Sequence, residues 1–330
     1  MVSTSDQDVV EILLGGPPRH TRAEVEQLSG ISQEFGLRIW RALGFPAPGE
    51  DEIAFTDHDV EALREIRELL GSDLIDEEMV LTLSRAVGTT MGRLANWLGG
   101  VWLQRMAEAV PDGEPVDETL VAAALTATAE LRPSFERLLM HGWRRQLAAA
   151  GLRTMSTAAA ATADPGAGTA LLTVGFADVV SFTRLSRQMD GDELAGFVER
   201  FEAVAAEIIA ELGGRLVKTL GDEVLFTADD PARAAEIGLL IAERCDADAA
   251  FPRVRVGLAY GEVILRLGDV FGTPVNLAAR LTAIAYSGSV LVDSALALTL
   301  ANTAPYATSG LRPRHLQGLG KVRPYTLRRG

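Results

Sequence analysis

One break constrains this chain more than any other feature. Between Met155 and Thr169 the sequence falls in complexity: an alanine-rich run that favours helix is followed by Asp164-Pro165-Gly166, which stops one. The 330 residues therefore read as two domains joined at this point. The two sides differ in kind. All four tryptophans, Trp40, Trp97, Trp102 and Trp143, precede the break, in a region whose apolar residues recur at helical spacing. After it, buried-strand runs alternate with helical ones. The expected fold class is α+β: residues 1–150 as an all-helical domain, 151–169 as a linker able to form or melt a helix, and 170–330 as a domain of strands and helices.

Composition enters as a set of exclusions. The formal net charge is −14, and no basic patch interrupts it, so neither nucleic acid nor an anionic membrane is an expected partner. A single cysteine, Cys245, rules out a disulfide within the chain and a thiolate metal cluster. The N-terminus lacks a basic-then-apolar leader pattern, and the apolar stretches are broken by charge before they reach a spanning length. A cytoplasmic protein without a membrane span is the expectation.

In the front half, Thr21 with Glu24 three residues later reads as a capping box. Val25, Leu28, Ile31, Leu37, Trp40 and Leu43 then fall into two short helices with Gly30 between them, and Thr56 or Asp57 opens a third. Residues 21–70 resemble the helix-turn-helix and wing of MerR-type regulators. The helix that would enter DNA carries Gln33, Glu34 and Arg38, and the wing reads Gly49-Glu50-Asp51-Glu52, so the resemblance implies a packing fold rather than DNA binding. Two longer apolar stretches follow, Met79 to Met106 and Thr119 to Trp143. They are expected to form a helix-bundle core, with an apolar cavity for a lipid-like effector as the sharper alternative.

In the back half, Ala170 to Phe176 reads as a buried strand and Asp192 opens a helix. Arg215 to Leu220 and Glu223 to Phe226 flank Gly221-Asp222 as a hairpin, and Pro231 to Cys245 is helical. Arg253 to Tyr260 is a strand onto which Glu262 to Leu267 pairs back. Val275 to Tyr286 is a helix and Ser289 to Val292 a strand. The order β-α-β-β-α-β is a ferredoxin-like plan.

Three segments carry chemistry. In Phe176-Ala177-Asp178-Val179, a carboxylate ends an apolar strand, where it needs a metal, a cation or a helix N-terminus, or else simply caps the next helix. In Lys218-Thr219-Leu220-Gly221-Asp222-Glu223, a second carboxylate sits at a hairpin tip. Two strand-end aspartates on neighbouring strands can converge on a hard divalent ion. Glu223 is expected to face the other way, as adjacent strand residues do. In Asp269-Val270-Phe271-Gly272-Thr273-Pro274-Val275-Asn276 and on to Arg280, the last two polar residues stand at i and i+4 on one helix face. They form either a solvated pair or a device for gripping phosphate. Lysine occurs only as Lys218 and Lys321 in a chain that otherwise uses arginine.

Taken together in this order, from Leu171 to Leu327, the segments resemble the catalytic domain of class III nucleotidyl cyclases. The resemblance implies that Asp178, Asp222 and the backbone carbonyl of Val179 hold two divalent ions, Mg²⁺ or Mn²⁺. It implies that Lys218 and Asp269 read adenine, and that Asn276 and Arg280 orient the ribose and stabilise the transition state. Glutamate and a small residue are typical of guanylyl cyclases where this chain has Lys218 and Asp269, so ATP is expected over GTP. The family's metal and adenine residues come from different subunits, which implies a homodimer. Gln317 stands where many members have a phosphate-binding lysine, and Lys321 is the expected substitute. The segment from Ile264 to Gly268 is short, as in members with a reduced dimerisation arm. The helical front half resembles the autoinhibitory domain of actinobacterial members that respond to pH, some of whose relatives bind fatty acids. The chain's four histidines, His20, His58, His141 and His315, and the cluster Asp76-Glu77-Glu78 are the candidate pH sensors. A guanylyl cyclase, or a silent nucleotide-binding or DNA-binding regulator, are the alternative readings.

Overall fold

A computed structural model describes residues 11–72, 74–109, 118–160, 169–248, 251–266 and 268–330. The chain divides into two compact units between Leu152 and Arg153.

The first unit opens with α1 (Arg22–Ser29) and α2 (Gln33–Ala42). The capping box is present: Thr21 receives the Glu24 amide, and Glu24 Oε2 receives the Thr21 N–H at 2.8 Å. Gly30 ends α1 at φ 75°, a left-handed conformation that a side chain resists. His20 bridges to Phe55 ahead of α3 (Asp57–Leu70), which Thr56 caps. Val25, Phe55 and Val60 close one small core with Trp40, and Ile31, Phe35 and Ile39 another with Val80 and Leu81. An apolar cavity of about 80 Å³ lies among Val25, Ile31, Trp40, Phe55 and Leu63.

Those long stretches are the helices α4 (Glu77–Ala109) and α5 (Glu118–Ala160), of 33 and 43 residues. At 1.5 Å per residue they run to about 50 and 65 Å. Among the described residues the two long helices do not form the expected bundle core with each other. Leu83, Val87, Met91 and Trp97 on α4, and Leu131, Phe135, Leu138 and Trp143 on α5, are exposed. The helices are longer than the small cores beside them can cover, so these side chains lack a cover among the described residues. The alanine-rich segment assigned to a linker continues α5 as far as Ala160, as its composition favours; the Asp164-Pro165-Gly166 stop lies outside the described residues.

The second unit is built on a mixed sheet ordered β2 (Arg215–Leu220), β3 (Glu223–Ala228), β1 (Thr169–Val179), β4 (Val254–Arg266), β6 (Val290–Val292), β10 (Tyr325–Arg329) and β7 (Tyr306–Gly310). Every neighbour is antiparallel except β4 with β6. A short β5 (Asp269–Phe271) pairs back on β4, and β8 (Arg314–Leu316) with β9 (Gly320–Val322) forms a separate hairpin. The helices are α6 (Phe182–Leu185), α7 (Gly191–Glu211), α8 (Pro231–Ala247), α9 (Thr273–Ile284) and α10 (Ser294–Leu300).

Three expectations are corrected. β1 runs on past Phe176 because Ala177 and Val179 bury against the core under α7 and α8, so Asp178 lies within the strand. Asp190, not Asp192, caps α7. Residues 254–266 are one strand rather than two: Gly261 marks no turn but a close approach, where a Cβ would stand 2.9 Å from the Pro274 ring.

The sheet has two buried faces. Val179, Phe197, Phe201, Phe226 and Ile237 fill the one under α7 and α8. Leu172, Val174, Phe176, Leu225 and Val263 fill the other, with Ala278 of α9. At Gly257 the helix rests on the strand: a Cβ there would lie 2.4 Å from the Ala278 carbonyl oxygen and from the Thr282 amide nitrogen. Gly257→Ala is therefore expected to cost about 3 kcal/mol or more, because backbone cannot yield as a side-chain tip does. Urea unfolding would show it as a lowered midpoint, and an unchanged midpoint would mean that α9 shifts freely.

Candidate active site

Lys218 owes its direction to an irregularity. In the pairing of β2 with β3, Leu216 stands opposite Phe226 and Lys218 opposite Leu225, so Val217 is an extra residue. Without that bulge, residues 216 and 218 would share a face. With it, Lys218 turns to the α9 face, where Leu225 packs. There its Nζ lies 2.5 Å from Asp269 Oδ2, at the start of β5. Burial alone would raise the Asp269 carboxyl. The Lys218 hydrogen bond, the Val270 N–H and the charges of Lys218 and Arg215 outweigh it and hold the group below its ordinary value. Arg215 also donates to the Gly268 carbonyl, which pins the turn before β5.

The aspartates meet one residue pair further along the same face. Asp178 on β1 is opposite Glu223 on β3 and Arg255 on β4. Asp222, in the hairpin between β2 and β3, brings its carboxyl within hydrogen-bonding reach of Asp178. The hairpin is fixed by its backbone, since the Val179 N–H donates to the Asp222 carbonyl at 3.1 Å. Burial, and after it the charge of Asp178, raises the Asp222 carboxyl. Arg255 answers the charge: its Nε lies 2.6 Å and its Nη2 2.5 Å from Asp178 Oδ2.

Glu223 departs from expectation. The register sets it directly opposite Asp178, on the same face, and burial first, then Asp178 and Asp222, push it up to about 7. The alternation rule fails because Asp222 belongs to the turn and not to the strand; Glu223 is the first residue with strand parity, and its partner is Asp178. Arg255 was missed altogether. The signal was present, because an arginine between Val254 and Val256 in a strand buried on both faces needs an anion.

Asn276 and Arg280 share the exposed side of α9, one turn apart and opposite the buried Ala278, Leu281 and Thr282. Among the described residues Arg280 makes no ion pair. Lys321 stands exposed on β9 across from His315. One chain thus brings Asp178 near Asp222 and joins Lys218 to Asp269, and among the described residues Asn276, Arg280 and Lys321 make no side-chain hydrogen bond or ion pair to either pair.

The donor set suits a divalent ion of the Mg²⁺ type: two carboxylates and a main-chain carbonyl are hard oxygens, and the remaining positions fall to substrate and water. A guanidinium already stands as the cation against Asp178. Among the described residues no group of three or more His, Cys, Asp or Glu side chains is arranged to hold a metal, and no helix is long and apolar enough to cross a membrane.

Comparison with known proteins gives the family. The adenylate and guanylate cyclase catalytic domain matches residues 168–329. An adenylate cyclase of Streptomyces coelicolor is 40% identical, over 96% of this chain and 88% of its own length. One of Glutamicibacter nicotianae is 38% identical, over 96% and 81%. A pH-sensitive adenylate cyclase of Mycobacterium tuberculosis is 30% identical, over 93% and 77%. These matches reach through the helical front half as well as the sheet, and the chain belongs to the class III adenylate cyclase family.

Proposed function

We propose that the chain converts ATP to 3′,5′-cyclic AMP and pyrophosphate at sites shared between two copies. The observation that carries the reading is the Lys218–Asp269 pair on the same sheet face as Asp178 and Asp222. Adenine presents an acceptor at N1 and a donor at N6, and an ammonium beside a carboxylate complements both. Guanine reverses that pattern and would leave the buried partners unpaired. The ribose 3′-oxygen forms a bond to the α-phosphorus as the bond to the β-phosphate oxygen breaks, and the hydroxyl proton passes to solvent. Asn276 orients the ribose, and Arg280 offsets the charge that grows on the α-phosphoryl group. Lys321 reaches toward the triphosphate. Two divalent ions, Mg²⁺ or Mn²⁺, held by Asp178, Asp222 and the Val179 carbonyl, would make the 3′-hydroxyl more acidic and brace the phosphates.

The homodimer is supported by the uncovered apolar side chains of α4 and α5, which a second copy would cover. The helical unit acts as the restraint on catalysis, with the helix through Ala160 as its transmitter. A pH signal has support in the relative's name and in two pairs, His20 with Asp57 at 2.7 Å and His58 with Glu61 at 3.3 Å. Their ionic attraction exists only while the imidazole is protonated. The cavity in this unit would take the tip of an acyl chain rather than a whole fatty acid.

The test is cyclic AMP formation by the full chain with ATP or GTP and Mn²⁺, at one acidic and one mildly alkaline pH, beside Asp222→Ala. Product from ATP in the wild type alone is expected, with a rate that differs between the two pH values. Equal product from Asp222→Ala would overturn the site, and preference for GTP would overturn the base reading.

A further inference from the structure

We infer that Arg255 is a positioning residue for the metal site: it pairs with Asp178 as a counter-ion and thereby weakens the binding of the first divalent ion. The inference rests on the reading of Asp178 and Asp222 as metal ligands. Three observations carry it.

The contact falls on a ligand atom. Nε and Nη2 of Arg255 both converge on Asp178 Oδ2, at 2.6 and 2.5 Å. They take up the oxygen that faces β4 instead of forming a fork across both carboxylate oxygens. An ion coordinated by that oxygen competes with the guanidinium for the same negative charge.

The arginine is also held from behind. Its Nη1 donates at 3.1 Å to the Ala283 carbonyl in the last turn of α9, where the helix dipole favours a cation. The cross-strand register of β1 with β4 places Arg255 directly opposite Asp178. The side chain is thus preorganised against the carboxylate and shielded from solvent, with 31% of the arginine and 14% of the aspartate side chain exposed. Such a pair is not the mobile surface type that contributes little.

The third observation is the charge count. Glu223 stands opposite Asp178 across the strands and Asp222 is the residue before it, in a hairpin tied to Val179, and the fixed guanidinium offsets the repulsion among these three carboxyl groups. The same guanidinium ties the site to α9, the helix that carries Asn276 and Arg280. A metal that releases Arg255 from Asp178 therefore alters the contact at the end of that helix.

The experiment is Mn²⁺ binding to the full-length, nucleotide-free protein at low ionic strength, read by the paramagnetic signal of free Mn²⁺ and by calorimetry. The proteins compared are wild type, Arg255→Gln, Arg255→Lys and Asp178→Asn. Arg255→Gln is expected to bind Mn²⁺ about tenfold tighter than wild type, the scale of one shielded ion pair. Arg255→Lys, which keeps the charge and loses the anchor on Ala283, is expected to fall between them. Should the glutamine variant not fold, as judged by thermal unfolding, the lysine variant decides. Affinity equal to or weaker than wild type in the folded variants, with binding lost in Asp178→Asn, overturns the role of Arg255 and leaves the metal site standing. Binding undiminished in Asp178→Asn overturns the metal reading itself.

Discussion

Co-expressed Asp222→Ala and Arg280→Ala chains, each inactive as a pure protein, are expected to regain about a quarter of the wild-type rate of cyclic AMP formation. The figure follows from symmetry. Random pairing makes half of all dimers mixed. In each mixed dimer one site takes an intact Asp222 from one chain and an intact Arg280 from the other, while the second site carries both defects. Half of the dimers with half of their sites gives the quarter.

The expectation rests on where the two residues stand. Asp222 is held at the hairpin tip against β1, and Arg280 projects from the solvent side of α9 without an ion pair among the described residues. A transition-state cation has no use for a position facing water unless the anion arrives from outside. Loss of a single charge-stabilising donor lowers turnover about 10²- to 10³-fold, so recovery to a quarter would stand far above either parent. If one chain held its own complete site, the mixture would stay at the parents' background. The same result would strip the exposed apolar side chains of α4 and α5 of the partner assigned to them.

How much of this was readable beforehand differs from residue to residue. Asp178, Asp222, Lys218 and Asp269 were legible because each is a charged residue within or beside an apolar strand, where burial of charge demands a reason. The two charged contacts that were overlooked or misdirected depend on register, which the sequence does not print. Arg255 meets Asp178 only because β4 lies beside β1 in one alignment, and a shift by one residue would bury it elsewhere. Glu223 was misdirected because parity was counted from a turn residue. The Val217 bulge left no mark beyond an ordinary valine, although it aims Lys218. Gly261 reads as a break by composition and serves as clearance for Pro274. In the front half, helical periodicity located α4 and α5 but not what covers them, because a stripe that packs within the chain and one that packs on another molecule have the same spacing.

Lys218→Glu is expected to lower the use of ATP about 10³-fold, and adding Asp269→Cys to make GTP the better substrate. The pair works as a unit: Lys218 donates to Asp269 at 2.5 Å and has further protons to offer a base, while Asp269 keeps its charge through that contact. Reversing the first member removes the donor for adenine N1 and sets a carboxylate against Asp269, which burial already disfavours in its ionised form. Guanine carries a proton on N1 and an acceptor at O6, so a glutamate at 218 meets the proton, and a cysteine at 269 removes the repulsion and leaves room for O6. The ratio of kcat/KM for GTP over ATP is the measurement, with thermal unfolding as the check on folding. A ratio that rises while both variants stay folded assigns base choice to this pair. If ATP and GTP use fall together, the Lys218–Asp269 contact holds β2 to β5 as a structural tie, and the preference for adenine must come from elsewhere on the α9 face.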